Sequence, residues 1–290
     1  MSVAKWTVDG SVRREIEKVG LHGAGSLAGR RLLDGITLDY GPADLLGRFF
    51  LKADAVVRER GVTLSFGTAH DLVRINKQNS DTWRPLLPIF DPVYGALHDQ
   101  NVFVIIGRDA AGDVVATQAA RLYNWSNTNF AAEAASLRLF YPDPKLQKLG
   151  NERIDITAPM AELIAGRVCF SGGVWFHPTY RGRLLTAVLP RISRAYAFTR
   201  WFTDVTVTIM AEKLAKCGVA ARCGYTEINW DLTLQETRTG TVRCALLSMR
   251  TEAMLEDLRT FIEDLSPQID RRINDRAVEQ PHTAARASRR

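Results

Sequence analysis

The stretch Val174-Trp175-Phe176-His177-Pro178-Thr179-Tyr180-Arg181-Gly182-Arg183 changes character midway. Its first half is apolar and strand-like, and its second half is a tight basic turn. A helix-like run follows from Leu184 to Trp201, with Leu185, Val188, Leu189, Ile192, Ala195 and Tyr196 at helical spacing. A strand that passes through such a turn into a helix aims the helix's free N–H groups at whatever occupies the turn. The positive end of the helix dipole adds attraction for an anion. Tyr180-Arg181-Gly182-Arg183 therefore predicts a site for a phosphorylated ligand. Pro190 lies inside the helical run and predicts a kink there.

The neighbouring segments fall into a regular order. Val62 to Phe66 reads as a strand, and Thr68 or Asp71 caps a helix towards Gln78. Pro85, Pro88 and Pro92 make Trp83 to Tyr94 a loop with short helical turns. Asn101 to Gly107 and Val114 to Tyr123 form a hairpin about the turn at Asp109 to Asp113. Ala131 to Phe140 fits a helix by its alanines and a strand by the alternation of Leu137 and Leu139. Thr157 to Ala165 reads as a helix, and Val168 to His177 as a strand broken at Gly172-Gly173, a bulge signal. Val205 to Met210 is the next strand, and Ala211 to Arg222 a helix stopped by Gly224. Thr226 to Leu234 and Val242 to Met249 are strands joined about Gly240. Met254, Leu255, Leu258, Phe261, Ile262 and Leu265 then form the apolar stripe of a final amphipathic helix. That stripe covers either the sheet or a partner subunit, so a homodimer is one expectation.

The first 60 residues are less regular. Ser11 to Val19 suits a short helix, and Gly20, Gly23, Gly25 and Gly29 crowd a loop. Gly23-Ala24-Gly25-Ser26-Leu27-Ala28-Gly29 lacks the preceding strand that a dinucleotide fingerprint needs, so it reads as a turn. Pro42 to Arg60 is a helix with Leu45, Leu46, Phe49, Phe50 and Ala53 on one face. The expected organisation is an N-terminal helical and loop extension over 1–60, a central domain over 61–250, and a helix with a disordered basic tail over 251–290.

Composition excludes several classes. Charged residues make up 24% and apolar residues 46%, an ordinary globular balance. No apolar run reaches the length of a membrane span, and the N-terminus has no apolar signal core. Cys169, Cys217, Cys223 and Cys244 form no Cys-x-x-Cys pair, and no histidine spacing predicts a metal site. A cytoplasmic protein with reduced thiols is expected. The net charge of +6 is mild and partly due to Arg276, Arg286, Arg289 and Arg290, so the tail is the one feature that points to nucleic acid.

The order from Val62 to Met249 resembles the GNAT family of N-acetyltransferases. The sharpest likeness is Val174 to Arg183, similar to that family's strand and phosphate turn. The second is Cys223-Gly224-Tyr225-Thr226-Glu227-Ile228, similar to the family's Gly-Phe pair and the strand after it. The resemblance implies an α+β fold: a mixed, mostly antiparallel sheet with splayed central strands, flanked by helices. It implies acetyl-CoA or another acyl-CoA as cosubstrate. Val174 and Phe176 would pair with the pantetheine arm. Arg181, Gly182, Arg183, Leu184, Leu185 and Thr186 would meet the pyrophosphate; Arg191 and Arg194, further along the helix, would meet the nucleotide phosphate or lie on a solvated face.

The chain departs from the family at two places. Leu184 and Thr186 stand where the family's Arg-x-x-Gly-x-Gly turn has glycines, which narrows the cradle. Ala220 stands where many members carry a tyrosine that protonates the leaving thiolate, and Lys213 where an asparagine is common. The strand before the turn holds no carboxylate, so Glu133 and His177 are the candidate bases. The resemblance implies acyl transfer to an amine, on a small molecule or a protein, by direct attack. Residues 124–167 and the first segment would shape the acceptor side. Two other readings stand beside it: a GNAT-fold CoA-binding or interaction module with little catalysis, and a nucleic-acid-associated protein acting through its tail.

Overall fold

The computed structural model describes residues 27–95 and 97–278. The expected helix at Ser11 to Val19, most of the glycine-rich loop and the end of the basic tail lie outside the described residues.

The described strands form one eight-stranded sheet. They are β1 (Thr63–Gly67), β2 (Val102–Arg108), β3 (Val114–Trp125), β4 (Arg153–Ile156), β5 (Gly166–Phe176), β6 (Val205–Ala211), β7 (Glu227–Thr237) and β8 (Gly240–Arg250). Their order across the sheet is β1-β2-β3-β5-β6-β8-β7-β4. Every neighbouring pair is antiparallel except β5 and β6, which run parallel. The fold is α+β with a mixed, mostly antiparallel sheet flanked by helices.

Side-chain alternation divides the sheet between two cores. Phe103 and Ile105 of β2 join Ala116, Ala120 and Cys169 on one face. That face carries α1 (Ala43–Glu59), α4 (Leu185–Trp201) and α6 (Thr251–Val278). Val102, Val104 and Ile106 face the other core with Phe170, Val207 and Leu246. There the sheet is covered by α2 (Ala69–Gln78), α3 (Phe130–Ala135) and the irregular chain around Phe90.

The helices form where their spacing requires. In α1, Leu45, Leu46, Phe49, Phe50, Ala53, Val56 and Val57 are all buried, so this helix belongs to the main core and is not a detached extension. Each large aliphatic or aromatic side chain so buried contributes about 1.5–3 kcal/mol. Thr68 and Asp71 act together on α2: the Thr68 hydroxyl accepts from the Asp71 N–H, and the Asp71 carboxylate accepts from the Thr68 N–H.

Two readings need correction. The helix expected over Thr157 to Ala165 is a single turn, Met160–Leu163, and the preceding edge strand β4 was not anticipated. The helix expected over Ala211 to Arg222 divides into α5 (Glu212–Lys216) and a further turn at Val219–Arg222, because Gly218 takes φ +73° between them. The bulge signalled by Gly172-Gly173 is present, and β5 runs on through it. Thr117 pairs with Trp175 and Ala119 with Gly172, so β5 carries one extra residue in a continuous strand. Gly173 takes φ +58°, and its carbonyl accepts the Thr117 hydroxyl at 2.8 Å.

Candidate active site

The central strands part after a short contact. β5 and β6 pair only at Val168↔Val205, Cys169↔Thr206 and Phe170↔Val207. Beyond Phe170, β5 stays on β3 as far as Phe176, while β6 stays on β8 as far as Ala211. The edge of β5 that faces β6 therefore has no strand partner from Ser171 onward, although the carbonyls of Gly172, Gly173 and Phe176 accept from the side chains of Gln118, Thr117 and Arg181. Val174, 40% exposed, lies on this stretch.

The phosphate-type turn sits at the end of β5. Pro178–Tyr180 is a 3-10 turn, and α4 begins at Leu185. Gly182 and Leu184 take positive φ, +77° and +68°, which bends the chain sharply into the helix. No side chain caps α4, so the Leu185 and Thr186 amides remain available, while the Ala187 N–H donates to the Leu184 carbonyl. Arg181, Gly182 and Arg183 are exposed, Leu184 and Thr186 are half-buried, and Leu185 is buried. The Arg181 guanidinium folds back onto the main-chain oxygens of Phe176 (3.2 Å) and Thr82 (3.4 Å). The Arg183 guanidinium lies 4.2 Å from the Tyr180 ring centre. The turn thus presents backbone donors, with two arginines held at its flanks.

Arg191 and Arg194 do not reach this turn. They are buried, and both belong to an ion-pair group with Asp257 of α6. They also donate to the main-chain oxygens of Ala187, Arg222 and Cys223. Their role is to bind α4 to the C-terminal helix and to the segment before β7.

Polar groups collect on the α4 side of the point where β5 and β6 part. Gln118 donates to the Ser171 hydroxyl (3.0 Å) and the Gly172 carbonyl (3.3 Å), while its own oxygen has no partner. Tyr225 lies against Arg194, 4.7 Å from guanidinium to ring centre. Its hydroxyl sits beside Ser171 but meets no partner at hydrogen-bond geometry. Burial pushes the Tyr225 phenol up to about 12, so it keeps its proton at neutral pH. The sequence places Tyr225 in the core; its unpartnered hydroxyl depends on packing and has no sequence signal.

An irregular lobe covers the opposite face. Trp83 stacks on Trp175 of β5 (5.7 Å between ring centres), and the Trp175 indole N–H donates to the Thr82 hydroxyl. Asn76 of α2 holds the lobe through the Arg84 carbonyl and the Leu86 N–H. The lobe returns under β5 at Phe90, where a side chain on Gly172 would strike the ring at 2.6 Å.

The two candidate bases are not brought together. Glu133 acts on Tyr123, which pairs with Val168 at the start of β5. His177 bonds through its N–H to Val115, eight residues back along β3, or roughly 27 Å at strand spacing. Burial alone would raise the Glu133 carboxyl. The paired contacts from Arg138 and the Thr128 hydroxyl outweigh that and hold it below the usual carboxylate range. His177 lies beside the turn, with Nδ1 2.7 Å from the Thr179 hydroxyl and accepting from the Thr179 N–H. That contact uses the lone pair a base would need and leaves Nε2 as the N–H.

No protein-family profile and no curated protein matches the chain. Solved structures are similar to it at low identity. The spermidine/spermine N-acetyltransferase SpeG from Vibrio cholerae aligns at 12% identity over 68% of this chain and 97% of its own, with a TM-score of 0.40. AAC(6')-Ib in complex with ribostamycin and coenzyme A aligns at 16% identity over 67% of this chain and 95% of its own, with a TM-score of 0.38. The description of the fold rests on the strand order and register above, not on these likenesses.

Proposed function

We propose that the chain is an acyl-CoA-dependent N-acyltransferase that moves an acetyl or other acyl group to an amine. One observation carries this reading: a parallel strand pair parts after three residues, and the open strand leads into an uncapped helix start. That arrangement fits a long ligand with a peptide-like arm and a phosphate group. The open edge of β5 at Val174 and Phe176 would pair with the amides of the arm. The amides of Gly182 to Thr186 would take the pyrophosphate, aided by the helix dipole. A Cβ added at Gly182 meets nothing within 4 Å, so the turn is open there.

Acyl-CoA supplies an activated thioester when bound. The chain's own groups then orient the reaction. Backbone N–H groups on the open edge of β5 polarise the acyl oxygen. The Tyr225 phenol, protonated and without a partner, donates a hydrogen bond to the departing sulfur. The amine nitrogen forms the new bond to carbon as the carbon–sulfur bond breaks, and the proton that nitrogen sheds ends on the departing sulfur, giving an amide and a free thiol. No base is assigned to Glu133, whose carboxylate is committed to Arg138, so the amine reacts in its neutral form.

A second reading, a CoA-binding module with little turnover, is favoured by two residues. Ala220 is buried and offers no proton, and Leu184 places a side chain within the turn. Incubating the protein with acetyl-CoA and a panel of primary amines, and following free thiol, separates the two. Amine-dependent thiol release supports transfer; saturable binding without release supports the module.

A further inference from the structure

Gln118 lies on β3, wholly buried, between Thr117 and Ala119, which pair on either side of the β5 bulge. Its side-chain nitrogen stands 3.2 Å from the Ala119 carbonyl oxygen, 3.3 Å from the Gly172 carbonyl oxygen and 3.0 Å from the Ser171 hydroxyl. Two of these three neighbours can only accept. The amide therefore has one orientation, because turning it over would set its oxygen against two carbonyl oxygens. It holds that orientation although its own oxygen is buried without a partner.

The orientation decides what the next group does. An amide nitrogen accepts no hydrogen bond, so Ser171 receives from Gln118 and keeps its own hydroxyl hydrogen to give. Ser171 is buried and is the first residue of β5 beyond its last pairing with β6. The Tyr225 hydroxyl sits beside it. The Arg194 guanidinium, 4.7 Å from the Tyr225 ring centre, has only donors to offer. No acceptor for the Tyr225 hydrogen stands at hydrogen-bond geometry among the described residues.

We propose that Gln118 and Ser171 are positioning residues for Tyr225: Gln118 donates to Ser171, Ser171 donates to the Tyr225 oxygen, and the phenol hydrogen is left for the departing sulfur. The link from Ser171 to Tyr225 closes as acyl-CoA fills the gap between β5 and β6, since catalytic hydrogen bonds are commonly loose until the ligand is in place. A phenol that receives one hydrogen bond donates a stronger one. It keeps its own proton, so the bonds made and broken remain those of amide formation. The proposal rests on the acyltransferase reading for the sulfur only.

The test pairs a spectroscopic readout with turnover. Protein carrying carbon-13 at the tyrosine ring carbon that bears oxygen is observed by NMR with and without coenzyme A, and Tyr225→Phe identifies the Tyr225 line. Ser171→Ala should displace that line. Gln118→Met should displace it too, but not in a Ser171→Ala background, because its effect passes through Ser171. With acetyl-CoA and a primary amine, Ser171→Ala should lower kcat roughly 10-fold and leave KM for acetyl-CoA unchanged. Combined with Tyr225→Phe it should cost nothing further. Ser171→Ala removes a single oxygen and keeps the proposal open to refutation if Gln118→Met does not fold. A Tyr225 line that Ser171→Ala leaves in place, or a kcat loss that adds in full to that of Tyr225→Phe, overturns the proposal. Unchanged turnover in Ser171→Ala would overturn it and leave the acyltransferase reading standing. A Tyr225 line that depends on Gln118 and Ser171 in a protein that releases no thiol would overturn the acyltransferase reading and leave the relay standing.

Discussion

Arg191 grips Asp257 with two nitrogens: Nε donates to one carboxylate oxygen at 2.9 Å, and Nη2 to the other at 2.8 Å. Arg194 stands 3.6 Å from the same carboxylate and is wholly buried. A side chain on Gly224 would strike the Arg191 guanidinium at 2.5 Å and Asp257 at 2.7 Å, so the segment before β7 closes over the pair. One carboxylate on the C-terminal helix is thus shared by two arginines on the helix that begins at the proposed pyrophosphate turn. Asp257→Ala leaves both guanidinium groups buried without an anion. A loss of about 3–5 kcal/mol in urea unfolding is expected; a loss below about 0.5 kcal/mol would show that the group is not a structural clamp.

Leu184 occupies a backbone conformation that glycine adopts freely. At φ +68° a leucine costs about 1–2 kcal/mol. Leu184→Gly relieves that strain but adds chain entropy and loses a half-buried side chain, so stability should move by less than about 1 kcal/mol. Acetyl-CoA should bind a few-fold more tightly, because a side chain leaves the turn. Weaker binding would show that Leu184 contributes contacts and does not obstruct.

Much of this arrangement is legible in the sequence. The strand, the basic turn and the following helix are read from Val174 to Trp201, and the hairpin from its turn residues at Asp109 to Asp113. The short edge strand Arg153-Ile154-Asp155-Ile156 is not, because four residues give too little alternation to distinguish. Arg191 and Arg194 read as ligand contacts or as a solvated face, since charge predicts exposure; only the tertiary position of Asp257, far along the chain, explains their burial. Tyr225 is legible as a core residue, but its unpartnered hydroxyl exists only once Ser171 and Gln118 are brought beside it. Glu133 is visible as a carboxylate, while its partner Arg138 becomes evident only when Leu137 turns the chain at φ +63°.

Glu133 makes a distinct prediction in acid. Its carboxyl titrates lower in the folded protein than in the unfolded chain, so its pair with Arg138 is stabilising above the ordinary carboxylate range. That contribution is lost as pH falls through the lowered folded value. Glu133→Gln should cost about 1–2 kcal/mol at neutral pH, and the gap from wild type should close in strong acid. A gap that persists there would mean that packing, not charge, is what the substitution disturbs.

The pH dependence of turnover reports on the missing base. With no base assigned near the parted strands, log kcat/KM should rise with unit slope as the acceptor ammonium loses its proton, towards about pH 10 for an alkylamine. A plateau set near pH 6–7 and abolished by His177→Ala would assign the proton transfer to His177 instead.

The most direct measurement is calorimetric titration of acetyl-CoA into wild type and Thr186→Glu. A carboxylate in the first turn of α4 suits the helix dipole and should leave the fold intact, yet it places like charge where the pyrophosphate is proposed to bind. Saturable one-site binding by wild type, weakened at least roughly 30-fold in the variant, is predicted. Absence of saturable binding, or equal binding by both proteins, would contradict the proposed acyl-CoA site at the end of β5.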